Sequence, residues 1–166
     1  MMRTGIGFDI HRFVDGRRFI LGGICLPFEK GLLGHSDGDV LLHSLSDALL
    51  GAMGKPDIGY LFPSDDKDTE GIESRKIVQK VLEIIEEEAY YIENADIVVL
   101  CEQPKLLPFA EEIKNNLAEM LGIGAERIGF KAKTCEGLGD IGSGDACACF
   151  VTVLINKKQA DKTSSQ

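Results

Sequence analysis

The segment GIGFDIHRF, residues 5–13, places the strongest constraint on the fold because its apolar residues alternate with Asp9 and His11. A two-residue period of this kind predicts a β-strand. Residues two apart on a strand leave the same face, so the Asp9 carboxylate and the His11 imidazole are expected to point into one space. A short D-x-H pattern also fits ordinary polar residues at a strand end.

A second segment, HSDGDVLLH at residues 35–43, adds a third candidate ligand. His43 falls in a predicted helix, whose apolar residues recur at helical spacing and which ends near Gly51 and Gly54. Two histidines and one aspartate leave tetrahedral zinc with one open position, the arrangement of a catalytic site. The chain has only three histidines, which favours this interpretation over the ordinary one.

The residues around this helix lead to two further predictions. Ser36 is predicted to be the N-cap, with Asp39 three residues later as a carboxylate form of the capping box. The free N–H groups at that end would then favour an anion such as phosphate beside His35. Two roles stay open for Asp47, one turn after His43: it fixes the His43 tautomer, or it is solvated on an exposed face.

Length and charge limit the class of protein. With 166 residues, the chain is expected to form one domain at 1–157 with a disordered tail at 158–166. A net charge of −9 argues against a nucleic-acid partner. No apolar run is long enough for a bilayer, and the first residues lack the form of a signal peptide, so we expect a cytoplasmic protein with no membrane partner. Five cysteines without a C-x-x-C pair are typical of reduced thiols.

Periodicity and turn residues predict the other elements. Gly22-Gly23 indicates a bulge or a close approach inside one strand. Residues 29–34 are predicted as a loop, 57–68 as a lid with an apolar centre, and 134–145 as a glycine-rich connector. The predicted strands are 3–10, 18–25, 92–101, 127–133 and 146–156, and the further helices are 73–89 and 109–121.

Five segments, in this order and spacing, resemble the 2-C-methyl-D-erythritol 2,4-cyclodiphosphate synthase family. The resemblance covers nearly the whole chain. It implies a phosphorus–oxygen lyase of the non-mevalonate isoprenoid pathway, which converts 4-diphosphocytidyl-2-C-methyl-D-erythritol 2-phosphate into the cyclic diphosphate and CMP. The segments are GIGFDIHRF, KGLLGHSDGDVLLHSLSDALLGA, DIGYLFPSDD, EQPKLLP and KAKTCEGLGDIGSGDACAC.

The resemblance also implies roles for individual residues. Asp9, His11 and His43 match zinc ligands, and Glu136 matches the ligand of a second ion, magnesium or manganese. His35, near the transition state, and Thr134 match catalytic positions. The implied substrate-binding residues are Ser36, Asp57, Gly59, Phe62, Asp66, Cys101, Pro104, Lys105, Leu106, Leu107 and Lys133.

Three residues depart from the family's pattern. Ser64 stands where many members carry Asp in the lid, which affects a methylerythritol contact. Lys133 stands where some members carry Thr. Ser143 stands where many have Arg, a residue linked with anion contact near the trimer axis. None of the three belongs to the metal triad.

The expected fold class is α+β: a single domain with a mixed β-sheet covered by helices, in a homotrimer whose sites lie between subunits. Two alternatives stay open, a zinc phosphoesterase that uses water and a non-catalytic nucleotide-binding module on the same fold. The sequence offers no clear water-activating base beside Asp9 and His11, which disfavours hydrolysis.

Overall fold

A five-stranded mixed sheet organises the fold in this computed structural model, which describes residues 1–63 and 71–158. The strand order is β4-β1-β7-β5-β6, in which only β5 and β6 pair in parallel. A separate hairpin pairs β2 with β3. The strands are β1 Met2–Asp15, β2 Phe19–Leu21, β3 Ile24–Leu26, β4 Lys30–Leu32, β5 Tyr90–Leu100, β6 Ile128–Lys133 and β7 Ala146–Lys157.

Helices cover one face of this sheet and bury its apolar side chains. Helix α1 packs on β1 and β7, α3 contacts β5, and α4 contacts β6. The α+β mixed-sheet prediction is therefore confirmed. Among the described residues, every helix is too short or too polar to cross a bilayer. The helices are α1 Val40–Ala52, α2 Ile58–Leu61, α3 Ser74–Glu87, α4 Ala110–Leu121 and α5 Gly139–Gly142, with 3-10 turns at Leu107–Phe109 and Ala125–Arg127.

Two glycines let α1 lie directly on β1. A Cβ built on Gly5 would lie 1.9 Å from the Ala48 carbonyl oxygen, and one on Gly7 would lie 1.9 Å from that of Ser44. Four helical residues rise about 6 Å, and two strand residues span about 6.7 Å, so the helix keeps pace with the strand. Continuing this register brings His43, whose side chain leans toward the helix N-terminus, to the level of Asp9.

The opposite face of the sheet exposes large apolar side chains. Ile6, Phe8 and Ile10 of β1 and Phe150 of β7 are between 40% and 67% exposed. The Phe8 and Phe150 rings pack with centroids 4.6 Å apart. A contiguous apolar surface of this kind is typical of a protein–protein contact.

Several predicted elements differ from the structure, among them the lid at 57–68, which contains helix α2. The single strand at 18–25 is two strands, β2 and β3, because Gly22 and Gly23 both have positive φ and form the tight turn of a hairpin. The predicted loop at 29–34 contains β4, which pairs with the long β1 at Phe13–Asp15. The connector at 134–145 contains the one-turn helix α5.

The predicted N-cap Ser36 is wrong, because α1 begins four residues later and Asp39 caps it. The Asp39 carboxylate accepts from the N–H groups of Leu41 and Leu42, and also from Gly22 and Gly23 in the β2–β3 turn. Burial raises the pKa of Asp39, and these N–H groups oppose the rise. Since Asp39 accepts these N–H groups, they are not free for an anion as predicted, and a phosphate contact at His35 and Ser36 stays a prediction that rests on their own side chains.

Candidate metal centre and active site

Asp9, His11 and His43 bring one ligand atom each to a single point. Asp9 Oδ2 lies 2.9 Å from His11 Nε2 and 2.8 Å from His43 Nδ1, and the two nitrogens are 3.1 Å apart. Strand periodicity aims the first two side chains, and the close packing of α1 on β1 brings the third. The predicted triad is therefore brought together by the fold.

The donor set fits a tetrahedral divalent metal. Ligands about 2 Å from zinc lie roughly 3.3 Å from one another, close to the three separations observed. The remaining Asp9 oxygen, Oδ1, accepts the N–H of Ile10 at 2.8 Å, which holds the carboxylate with Oδ2 toward the histidines. Three protein ligands leave one position for a substrate oxygen.

The electrostatics of the triad favour a bound cation. Burial raises the pKa of Asp9, but hydrogen bonds and charge from His11 and His43 outweigh it and hold that pKa well below 3.8. Burial lowers the pKa of His43, yet the hydrogen bond and charge of Asp9 lift it above 6.5. The site therefore attracts a proton when metal-free, and a metal must displace that proton to bind.

The triad opens onto a pocket of about 300 Å³. Five further predicted residues line it: His35, Ser36, Asp57, Gly59 and Phe62. The predictions for Asp66, for the departure at Ser64 and for the rest of the 64–70 segment lie outside the described residues. Three apolar lining residues were missed by sequence reasoning, because their contacts come from tertiary packing: Ile58, Ile72 and Ile77.

Asp57 and Asp47 shape the wall of this pocket rather than the metal site. Asp57 is the N-cap of α2 and accepts from Tyr60 N. Of the two roles left open for Asp47, the structure shows neither: within the described residues it is half-buried and accepts the N–H of Ile58 at 2.8 Å. Burial raises the pKa of Asp47, and the Ile58 bond only partly offsets it. The two carboxylates thus position α2 against α1.

Ser36 and Ser74 contact the far side of the His43 ring. Each serine Oγ lies 2.9 Å from His43 Nε2. Ser74 Oγ in turn donates to Asp37 Oδ1 at 2.5 Å. Neither Ser74 nor Asp37 was singled out from the sequence, since 31 residues separate Ser74 from His43 and no local spacing indicates the contact.

The remaining predicted residues lie in two loops that follow β5 and β6. Cys101 N donates to Lys133 O at 2.9 Å, and Cys135 N donates to Glu102 Oε2 at 3.1 Å, so the loops are neighbours. Thr134 Oγ1 donates to Glu136 Oε1 at 2.6 Å. Lys133 ends β6, and the two loops hold the predicted residues Cys101, Pro104, Lys105, Leu106, Leu107, Thr134 and Glu136.

Burial divides these loop residues into two kinds. Cys101 and Leu106 are buried in the core, whereas Lys105, Leu107, Lys133 and Glu136 are exposed. Glu136 has a positive φ of 51°, a conformation that a residue with a side chain adopts at some cost. The cost is consistent with a position whose carboxylate direction matters.

Within one chain, the loops stand apart from the triad. Lys133 aligns with Leu100, Ala148 and Ile10 across the sheet, so it is level with the triad. Three strand spacings separate β6 from β1, about 14 Å. The loops therefore do not join the pocket of their own chain at the triad, and the structure brings together only one half of the predicted site residues.

Fold and site define an enzyme-like α+β protein whose metal-ligand triad opens onto a substrate-sized pocket. A profile of the YgbB family matches residues 2–156. The chain belongs to the YgbB family. The predicted resemblance is confirmed, because relatives in this comparison carry the name 2-C-methyl-D-erythritol 2,4-cyclodiphosphate synthase.

Three similar proteins illustrate the relationship. The relative of that name from Synechococcus sp. (strain JA-2-3B'a(2-13)) is 50% identical over 154 residues, which are 93% of this chain and 98% of the relative. The CDP complex of IspF from Plasmodium falciparum has a TM-score of 0.83 at 35% identity, over 95% of this chain and 97% of that one. The bifunctional IspDF from Campylobacter jejuni has a TM-score of 0.91 at 37% identity, over 96% of this chain and 43% of that longer one.

Proposed function

We propose that this protein is a 2-C-methyl-D-erythritol 2,4-cyclodiphosphate synthase. It converts 4-diphosphocytidyl-2-C-methyl-D-erythritol 2-phosphate into the cyclic diphosphate and CMP, and is a phosphorus–oxygen lyase of isoprenoid synthesis by the non-mevalonate route. The observation that carries the proposal is the Asp9, His11 and His43 triad at the pocket, in a chain 50% identical to a relative of that name. The CDP complex of a structural relative supports a cytidine nucleotide partner.

The reaction is an attack within one substrate molecule. An oxygen of the 2-phosphate forms a bond to the β-phosphorus of the diphosphate, and the bond from that phosphorus to the CMP oxygen breaks. The nucleophile is already an anion, so positioning can supply most of the rate gain, roughly 7–11 kcal/mol. The pocket would position it: His35 and Ser36 would contact phosphate, and Gly59 and Phe62 line the same pocket.

Asp9, His11 and His43 would hold zinc, which supplies Lewis-acid polarisation of a phosphoryl oxygen when bound. The triad itself keeps three anionic or lone-pair donors aimed at one point. The apolar residues Ile58, Ile72 and Ile77 line the same pocket and would help to exclude water from it.

The two loops would bind the cytidine and diphosphate end of the substrate. Glu136 would hold the second ion, magnesium or manganese, and its exposed carboxylate is bonded by Thr134. Lys133 and Lys105 supply positive charge for phosphate and nucleotide. The buried side chains of Cys101 and Leu106, with Pro104 and Leu107, give the loop its shape.

The active unit would be a cytoplasmic homotrimer with each site between two subunits. The exposed apolar face of β1 and β7 supports an oligomer, because burial of Ile6, Phe8 and Phe150 would remove that surface from water. The separation of about three strand spacings between triad and loops supports shared sites, because a neighbouring subunit could bring its loops nearer.

The test is turnover of the cytidyl diphosphate substrate in oxygen-18 water, followed by mass spectrometry of the products. The expected result is CMP and a cyclic diphosphate, both free of solvent oxygen. A linear product carrying oxygen-18 would indicate a phosphoesterase that uses water. CDP binding without any turnover in the metal-loaded protein would indicate a nucleotide-binding module.

A further inference from the structure

A hydrogen-bond chain behind the metal triad runs from His43 to a carboxylate outside the pocket. His43 Nε2 lies 2.9 Å from Ser74 Oγ, and Ser74 Oγ lies 2.5 Å from Asp37 Oδ1. Ser74 is fully buried and does not line the pocket, so its hydroxyl cannot reach a substrate there. Its influence on the site must pass through His43.

The direction of each hydrogen bond follows from the groups involved. A carboxylate has acceptors only, so Ser74 must give its proton to Asp37. The Ser74 oxygen then offers a lone pair to His43, which makes Nε2 the protonated nitrogen. Ser36 Oγ, already accepting the Gly38 N–H at 3.1 Å, reinforces this with a second acceptor 2.9 Å from Nε2.

We propose that Ser74 and Asp37 are a positioning pair that fixes the His43 tautomer and ring orientation, so that Nδ1 presents its lone pair to the metal. Metal-bound histidines commonly donate their other N–H to such a partner. Here the partner is a neutral hydroxyl held by a carboxylate, in place of a direct carboxylate contact. The proposal rests on the metal site of the proposed function.

Asp37 is itself held by several backbone groups. Its Oδ2 accepts the N–H of Ser74 at 3.0 Å, and its Oδ1 accepts the N–H of Asp39 at 3.2 Å. Glu73, the N-cap of α3, makes no side-chain cap bond. Asp37, which is distant in sequence, instead accepts the first backbone N–H of α3, that of Ser74. Its negative charge is also favourable at a helix N-terminus.

The same contacts tie α3 to the segment that carries His35. Gly71 N donates to His35 O at 2.7 Å, and Asp37 N donates to Ile72 O at 3.2 Å. The pair therefore joins three parts of the chain: the metal ligand on α1, the loop at 35–37 and the first residue of α3. Loss of the Ser74 hydroxyl is expected to free the His43 ring without removing a ligand.

The test measures metal affinity, with zinc and cobalt(II) as probes in competition with a chromophoric chelator. Ser74→Ala and Asp37→Asn are each expected to weaken binding about 10-fold, the lower end of the usual effect of an outer-shell partner. Ser74→Thr keeps the hydroxyl and is expected to restore most of the affinity. The visible spectrum of bound cobalt should change in the first two variants, because the ring orientation changes.

Ser46→Ala is the matched control. Ser46 is also fully buried on α1, and its hydroxyl donates to Leu42 O at 2.8 Å without touching His43. Ser46→Ala is expected to lose stability but keep wild-type affinity. The double variant Ser74→Ala/Asp37→Asn should lose no more affinity than Ser74→Ala alone, since the two residues act in series.

The outcomes separate this proposal from the metal site itself. If wild type binds no better than His43→Ala, both the site and the positioning pair are overturned. If wild type binds tightly and Ser74→Ala and Asp37→Asn match Ser46→Ala, only the pair is overturned. Asp37→Asn preserves side-chain volume and decides the matter if Ser74→Ala does not fold.

Discussion

In the candidate metal pocket the triad side chains already touch one another, whereas in the loops after β5 and β6 the charged side chains Lys105 and Glu136 are exposed. The triad atoms lie within 3.1 Å of each other, and His43 is 7% exposed. Lys105 donates to the Glu102 carbonyl oxygen at 3.3 Å, and Glu136 accepts a hydrogen bond from Thr134. One half of the site is thus set within a single chain, and the other has room to adjust.

The difference teaches how an acidic protein can bind a polyanion. A preformed triad can present a cation at a fixed point. The entropy of ordering its three side chains is therefore lost during folding and not when the substrate binds. The exposed loop side chains keep rotamer freedom, and under the proposed function they would lose it only when the nucleotide and a second ion bind. Variants in the triad and variants in the loops should therefore lose different properties.

The largest effect is expected from removing a triad ligand. His43→Ala should lose the metal and reduce kcat by roughly 10³-fold, because several kcal/mol of Lewis-acid stabilisation disappear. Metal analysis of the purified variant measures the loss. His35→Ala is the matched control, a pocket histidine that should keep the full metal content. Wild-type metal stoichiometry in both His43→Ala and His11→Ala would contradict the triad.

Glu136→Gln should slow ring closure on the order of 10²-fold while the triad keeps its metal. The amide has similar volume but no charge for the second ion. The measurement pairs single-turnover rates with zinc content. Glu126→Gln, another exposed glutamate, should leave both unchanged. A Glu136→Gln variant that loses zinc would mean that the two halves are not independent.

Mixing these two inactive variants tests whether the halves meet between subunits. In an equal mixture allowed to exchange subunits, a site takes its triad from one subunit and its loops from the next, so about one quarter of the sites should be intact. Activity should then rise about 25-fold above that of Glu136→Gln alone. A mixture that stays at the level of its components would place both halves in one subunit.

Lys105→Ala should weaken CDP binding roughly 10-fold, since a charge-assisted hydrogen bond contributes about 1.5 kcal/mol or more. Calorimetric titration with CDP measures it, and the rate at saturating substrate should change little. Lys80→Ala, at an exposed position on α3, is the control. An unchanged Kd for CDP would remove Lys105 from the nucleotide site.

The smallest expected effect is the pH dependence of the metal-free protein. His43 has a raised pKa, so its stabilising contribution is complete below pH 6.5 and is lost as pH rises through that raised value. Asp9 has a lowered pKa, so its contribution is present above pH 3.8 and is lost as pH falls toward the lowered value. Between pH 3.8 and pH 6.5, both His43 and Asp9 therefore stabilise the folded protein.

Thermal unfolding after chelation tests this dependence. The Tm difference between wild type and His43→Gln should be larger at pH 5.5 than at pH 8, by an amount on the order of a few degrees. Equal differences at both pH values would contradict the raised pKa of His43.

The periodicity of the sequence correctly predicted the features that depend on neighbouring residues alone. Asp9 and His11 share a face because strand side chains alternate, and this needed no tertiary information. The start of α1 was misplaced because Ser36 and Asp39 both have capping side chains. In the structure the Ser36 hydroxyl contacts His43, which leaves the cap to Asp39.

Contacts distant in sequence could not be predicted. Asp47 turned to Ile58 rather than to His43, and Ser74 reached His43 from α3, through packing that no spacing encodes. The hairpin at Gly22-Gly23 had a signal, two glycines between apolar runs, but the same signal fits a bulge. The antiparallel pairing of β2 with β3 shows that the glycines form a hairpin turn and not a bulge.

Gly5 and Gly7 carry no functional group, yet they let α1 approach β1 closely enough to bring His43 to Asp9 and His11. The atoms that a new Cβ would meet are backbone oxygens of α1, which cannot rotate aside as a side chain can. Anyone transplanting this metal site into another scaffold would therefore have to copy five residues rather than three. The transferable unit is a Gly-x-Gly-x-Asp-x-His strand beneath a helix that presents a histidine. The two glycines fix the distance between strand and helix, and with it the spacing of the three candidate ligand atoms.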